Sequence, residues 1–283
     1  MEAFWQVADY LPSRLRKELD RVPEGTLRQV EEIRLRVGRA MALRTWNGER
    51  EVASEGSEIG PDDIRTLVER VTGSSAHTYS ATLKNGFVTV PGGHRLGLCG
   101  TAIVKDGEVA GFRDYTSAAF RVARQWKGAA DPVMAWVRDR AGRPRSTLIL
   151  SPPGAGKTTL LRDLIRQLAS KGPEERTPLR VAVADERGEI AACRAGRPAF
   201  DLGETSDVLD GCPKDRAAEI LVRVMTPEAL ALDEITGRAD VEAMERAAYL
   251  GVALFATVHA RDFEELAARP LYQKILQTGI FGQ

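Results

Sequence analysis

The residues best suited to chemistry lie in one run, Ser151-Pro152-Pro153-Gly154-Ala155-Gly156-Lys157-Thr158-Thr159, directly after the apolar stretch Thr147-Leu148-Ile149-Leu150. The order implies a buried strand, a glycine-turned loop and a helix starting near Lys157. Such a loop can cradle a polyphosphate, because its backbone N–H groups converge and the helix N-terminus favours negative charge. Pro153, Gly154, Ala155, Gly156, Lys157, Thr158 and Thr159 are the expected cradle. Lys157 would reach the β- and γ-phosphates, and the Thr158 hydroxyl would bind Mg²⁺. Ser151 stands where the pattern usually has a first glycine, which a small residue can replace if its backbone dihedrals are ordinary. A chance Gly-Lys-Thr in a surface turn is the alternative. The strand before the loop and Leu160-Leu161-Arg162-Asp163-Leu164-Ile165 after it favour a nucleotide site.

Three further groups follow apolar runs. Asp233-Glu234 follows Ala229-Leu230-Ala231-Leu232; an aspartate there would hold the Mg²⁺ shell and the glutamate would activate a water. Asp185-Glu186-Arg187-Gly188-Glu189 follows Val181-Ala182-Val183-Ala184. Glu186 or Glu189 could orient water or metal, or both could be the solvated charges of a turn. His259 closes Phe255-Ala256-Thr257-Val258, where an imidazole could sense a γ-phosphate, with Thr257 as a lesser partner. Arg95, Arg113 and Arg121 are candidates for an arginine supplied to a neighbouring phosphoryl site, or are ordinary surface charges. His77 and His94 read as structural.

Positioning these groups takes an alternating strand–helix order: strands at 147–150, 180–184, 229–232 and 252–258, and helices at 215–225 and 241–249. That order predicts a parallel sheet covered by helices, with ligands at the strands' carboxyl ends. Residues 185–214 read as a long loop. Before it, 131–140 reads as a helix and Gly142-Arg143-Pro144 as a joint. The first third is turn-rich: a helical stripe over 4–19 broken by Pro12, an alternating strand at 32–37, a helix at 61–71, and short strands at 87–90, 95–98 and 102–104. The glycine density of 83–100 implies close backbone packing or a sharp bend. The expected division is 1–127, a smaller α+β domain, and 128–283, an α/β P-loop domain.

Composition narrows the class. The chain has 283 residues, 43% apolar and 28% charged, and its 40 basic and 40 acidic residues cancel. No global field marks a nucleic-acid or membrane binder. The apolar runs are far shorter than the about 20 residues of a membrane helix. Met1-Glu2-Ala3-Phe4-Trp5 does not read as a secretory signal. Three cysteines, Cys99, Cys193 and Cys212, without metal-type spacing fit a reduced, cytosolic protein.

On these residues the chain resembles the stage III sporulation protein AA family, relatives of the hexameric ATPases of type II and type IV secretion and pilus machines. The resemblance rests on Glu32-Ile33-Arg34-Leu35-Arg36-Val37-Gly38-Arg39, His77-Thr78-Tyr79-Ser80, 86–95, Arg121-Val122-Ala123, the cradle, Asp185 to Glu189, 207–214, Asp233-Glu234 and 256–260. It implies a RecA-like P-loop ATPase domain behind an N-terminal α+β domain, using ATP and Mg²⁺ between subunits of a homo-oligomeric, hexameric ring. It makes 185–189 the acidic box and His259 the end of the histidine box. The box lacks the proline common in secretion ATPases, so which carboxylate matches theirs stays open. A further strand or helix is expected after the strand-bearing core, near Gln283. The implied role is a motor at the cytoplasmic face of a mother-cell membrane, driving a channel to the forespore through membrane-embedded sporulation proteins. A nucleic-acid-dependent ATPase and a nucleotide-gated scaffold are the competing readings. Zero net charge opposes the first, and the presence of Glu234 the second.

Overall fold

The computed structural model describes residues 1–52, 56–73, 86–172, 177–194 and 196–282. The motif at His77–Ser80 and residues 83–85 lie outside them. The chain divides into two compact units, Met1–Arg124 and Gln125–Gln283.

In the first unit, Pro12 breaks the stripe of 4–19 into α1 (Glu2–Ala8) and α2 (Ser13–Glu18), because proline has no N–H to continue the ladder. A single helical turn, α3 (Glu24–Leu27), leads to β1 (Glu32–Arg36), β2 (Met41–Thr45) and β3 (Gly48–Val52). Then come α4 (Pro61–Thr72), β4 (Phe87–Val90), β5 (His94–Lys105) and β6 (Glu108–Arg121). The six strands form one antiparallel sheet in the order β3-β2-β1-β6-β5-β4. Phe4, Leu11, Leu15, Ile33, Leu35, Ile64, Leu67 and Phe120 fill its core.

The expected turn between 98 and 102 is instead a bulge inside the continuous strand β5, with the register shifting between Cys99 and Thr101. A Cβ on Gly100 would lie 2.6 Å from the Arg113 carbonyl oxygen and 3.0 Å from the Tyr115 Cα, so close approach of β6 requires glycine there. His94 is buried. Its Nδ1 accepts the Ala123 N–H at 3.0 Å, and its Nε2 lies 3.0 Å from Gln6 Oε1.

In the second unit, residues 131–140 form turns and not the expected helix. The Asp163 carboxylate accepts the N–H groups of Gly128 and Ala130, Pro132 offers none, and an antiparallel bridge between Arg138 and Pro144 turns the chain back. The sheet follows: β7 (Thr147–Ser151), α5 (Lys157–Leu168), β8 (Val181–Asp185), β9 (Ser206–Asp210), α6 (Lys214–Met225), β10 (Ala229–Leu232), α7 (Arg238–Tyr249) and β11 (Ala253–His259). Helices α8 (Phe263–Ala268) and α9 (Pro270–Gln277) come after it. All strand pairs are parallel, in the order β7-β11-β10-β8-β9. Strand β9 lies within the stretch that reads as loop. It has two apolar residues and occupies a half-buried edge, so its sequence carries little strand signal.

The strand pattern sets both faces, because alternate residues point to opposite sides. Ala182, Ala184, Leu230, Leu232, Leu254, Ala256 and Val258 pack with α6 and α7 through Ala217, Leu221, Val241 and Met244. Val181, Val183, Ala229, Ala231 and Phe255 pack with Leu161, Leu164, Ile165 and Leu168 of α5. Burial on both faces explains the continuous apolar runs.

Candidate active site at the carboxyl edge of the parallel sheet

Strand register brings the polar groups level. Ser151 pairs with His259, and Leu232 pairs with both Ala256 and Ala184. The next residues, Asp233, Thr257 and Asp185, therefore meet at one edge, with the loop 152–156 beside them.

Gly154 and Gly156 have φ of +77° and +91°, and a Cβ on either would meet nothing within 4 Å. Backbone conformation, not crowding, asks for glycine there. Ser151 ends β7 without a positive φ, as the missing first glycine requires. Pro153, Gly154 and Ala155 are exposed, Thr158 and Thr159 are half-buried in the first turn of α5, and Lys157 is 6% exposed. The Lys157 ammonium donates to the carbonyls of Ser151 (2.8 Å) and Pro152 (2.9 Å) and lies 2.8 Å from His259 Nδ1. Burial lowers its pKa, and Asp233 and Glu234 oppose that shift.

Since an ammonium can only donate, His259 Nδ1 is the acceptor. Its Nε2–H is then free to donate to Glu234 Oε1, 3.1 Å away. The imidazole thus bridges Lys157 and Glu234. Arg187 Nη1 lies 3.2 Å from the other Glu234 oxygen. Asp233 accepts from Thr158 Oγ1 at 2.7 Å and from Thr257 Oγ1 at 2.5 Å. Thr257, fully buried, also accepts the Glu234 N–H at 2.8 Å. The Thr158 hydroxyl and the Asp233 carboxylate offer adjacent oxygens, the donor type a magnesium ion takes.

The acidic loop is built around Asp185, which is 2% exposed and accepts the N–H groups of Glu189, Ile190 and Ala191 at 2.8, 3.1 and 2.7 Å. Arg162 of α5 closes it from below, donating to the carbonyls of Ile190 (2.8 Å) and Glu189 (2.6 Å) and stacking on Phe200 at 3.8 Å. Burial pushes Arg162 down to about 10, so it stays charged near neutrality. Glu186 Oε2 is 3.4 Å from Lys214 Nζ. Glu186 and Glu189 line a crevice with Asp185, Arg187, Lys214, Asp233 and Glu234.

Lys157, Thr158, Asp233, Glu234 and His259 are joined by direct contacts, and Glu186 and Glu189 adjoin them. Sequence reasoning missed Arg162, Arg187 as a partner of Glu234, and Lys214. Arg187 lies in a loop, Lys214 at a helix start and Arg162 inside α5, and all three act through folded contacts that sequence spacing does not show. In the first unit Arg95 stacks on Phe87 at 3.7 Å, Arg121 lies 3.3 Å from Glu32, and Arg113 is 3.7 Å from Asp114.

Among the described residues, five parallel strands with a glycine loop before α5 and an acidic pair after β10 make a RecA-like α/β fold. The ATPase DotB of Legionella pneumophila matches with a TM-score of 0.62 and 14% identity, over 94% of this chain and 72% of that one. The pilus retraction motor PilT, solved with ADP, matches with a TM-score of 0.58 and 17% identity, over 91% and 74%. The chain belongs to the family described as sporulation stage III, protein AA, whose family model matches residues 2–283. It is 35% identical over 276 residues to the stage III sporulation protein AA of Bacillus subtilis (strain 168), covering 98% of this chain and 88% of that protein. Among the described residues no helix is long and apolar enough to cross a membrane.

Proposed function

We propose that this chain is a Mg²⁺-dependent ATP hydrolase, the motor subunit of a sporulation secretion complex. The observation that carries this reading is the contact chain Lys157–His259–Glu234, set beside Thr158–Asp233, at the edge of a parallel sheet. Loop 153–159 would hold the phosphates of ATP, and Lys157 would exchange its Ser151 and Pro152 carbonyl contacts for phosphate oxygens. Thr158 and Asp233 would hold Mg²⁺, which supplies charge neutralisation at the phosphates. Glu234 would accept the proton of the attacking water, and His259 would report the state of Lys157 to Glu234. Glu186 and Glu189 would order water around that group.

The family and fold support a homo-oligomeric ring, of six subunits, with ATP at each subunit boundary. Residues 1–127 would form the domain that passes motion to membrane-embedded channel proteins, and 128–283 the ATPase domain. The protein would work at the cytoplasmic face of the mother-cell membrane. Balanced charge supports no nucleic-acid track. The test is ATP turnover per subunit across a wide protein concentration range, with sedimentation of the same samples. Turnover rising with assembly supports a ring motor. Binding of ATP without turnover at any assembly state would contradict it.

A further inference from the structure

We propose that Lys214 is a positioning residue for Glu234, holding the backbone that aims its carboxylate. This rests on the reading of Glu234 as the water-activating group. Glu234 has φ of +49°, in the left-handed region, which is strained for a non-glycine residue and persists only where the surroundings hold it. Both peptide groups flanking it are clamped. Its N–H donates to Thr257 Oγ1 at 2.8 Å, and its carbonyl accepts from Lys214 Nζ at 2.6 Å.

Lys214 is ill placed for stability alone. It is the first residue of α6, where the helix dipole disfavours a cation, and it is 5% exposed. Its ammonium is surrounded by oxygens from three elements. Besides the Glu234 carbonyl these are Thr236 Oγ1 at 3.5 Å, Glu186 Oε2 at 3.4 Å and Asp240 Oδ2 at 3.9 Å. Asp240 in turn accepts the N–H groups of Thr236 and Gly237 at 2.9 and 3.0 Å. The turn 234–237 is thus pinned from both sides, and the acidic loop is tied to it through Glu186. With those oxygens around it, the ammonium is engaged within the protein and its part in the reaction is exerted through Glu234.

The test uses the full chain with Lys214→Met and Lys214→Arg, measuring ATP turnover and hydrogen exchange. Lys214→Met should lower kcat about 100-fold while KM for ATP changes less than about threefold. Its amides at 233–237 should exchange about tenfold faster, with β10 and β11 unchanged. Lys214→Arg keeps charge and donors, and should restore protection and part of kcat. If Lys214→Met leaves kcat and exchange at wild-type values, the proposal is wrong. It is equally wrong if exchange accelerates throughout β10 and β11 and arginine restores nothing, since Lys214 would then be a general structural residue. A wild-type chain that binds ATP without hydrolysing it would defeat the hydrolase reading, and the exchange measurement alone would then decide the lysine's role.

Discussion

Replacing Thr257 by valine changes the shape of a fully buried side chain little but removes its hydroxyl, and with it two bonds at the centre of the site. The hydroxyl donates to Asp233 at 2.5 Å, a charge-assisted bond of about 1.5–3 kcal/mol. It also accepts the Glu234 N–H at 2.8 Å, and leaving that donor unsatisfied costs about 1–3 kcal/mol. Asp233 keeps its Thr158 bond, and the strained Glu234 backbone can relax. The two terms are therefore not fully additive, and about 3 kcal/mol is the expected loss. Urea-dependent hydrogen exchange of β10 and β11 reads the second unit alone. At a slope of about 2 kcal/mol per molar, the loss moves its midpoint down by about 1.5 M. Thr257→Ser keeps the hydroxyl and should lose only about 1 kcal/mol, the value of a buried methyl group. A valine variant within about 0.5 kcal/mol of wild type, or a serine variant as damaged as the valine, would refute the hydrogen-bond reasoning.

Asp185→Asn places an amide NH₂ against backbone donors that now meet a carboxylate, so the loop 186–191 should loosen by about 3 kcal/mol, read as faster amide exchange there. Unchanged exchange would contradict the clamp. Burial, with Arg124 adding to it, lowers the His94 pKa from 6.5 to about 4. The unfolded chain therefore takes up a proton below 6.5 that the folded chain refuses until about 4. Stability of the first unit is fully present above that window and falls by roughly 3 kcal/mol across it as the pH drops, a slope His94→Asn should flatten in the exchange of α1. Burial, then Asp210 and Asp185, raises the Cys193 thiol from 9.0 to about 11. At pH 8 it should alkylate about 100-fold more slowly than an ordinary thiol; comparable labelling of Cys193 and exposed Cys99 by iodoacetamide would contradict that.

The parallel sheet was legible because strands buried on both faces read as unbroken apolar runs, and each ends in a polar residue at the same edge. The strand, loop and helix over 147–168 were legible because the loop's glycines, at positive φ, leave a spacing in the chain. Strand β9 was not, since an edge strand such as Ser206–Asp210 needs few apolar residues. The turns of 131–140 were not, because the Asp163 carboxylate that holds the residues leading into them, Gly128 and Ala130, lies beyond β7 in α5. The bulge at Gly100 read as a turn, although the glycine answers a close approach by β6. Asp185 was read as part of an acidic box, and folded contacts make it the clamp of that loop while leaving Glu186 on Lys214. Lys214 closes the run 207–214 that carries part of the resemblance, but its contact with the left-handed Glu234 backbone is not legible there.

The central claim is that Lys157, Thr158, Asp233, Glu234 and His259 form a hydrolytic nucleotide site. The most direct measurement is Mg²⁺-dependent phosphate release from ATP by the full chain, wild type against Glu234→Gln, with ATP binding measured in the same samples. The account predicts release by wild type, loss of at least about 100-fold in the variant, and binding retained in both. Release unaffected by Glu234→Gln, or absence of ATP binding to wild type, would contradict it.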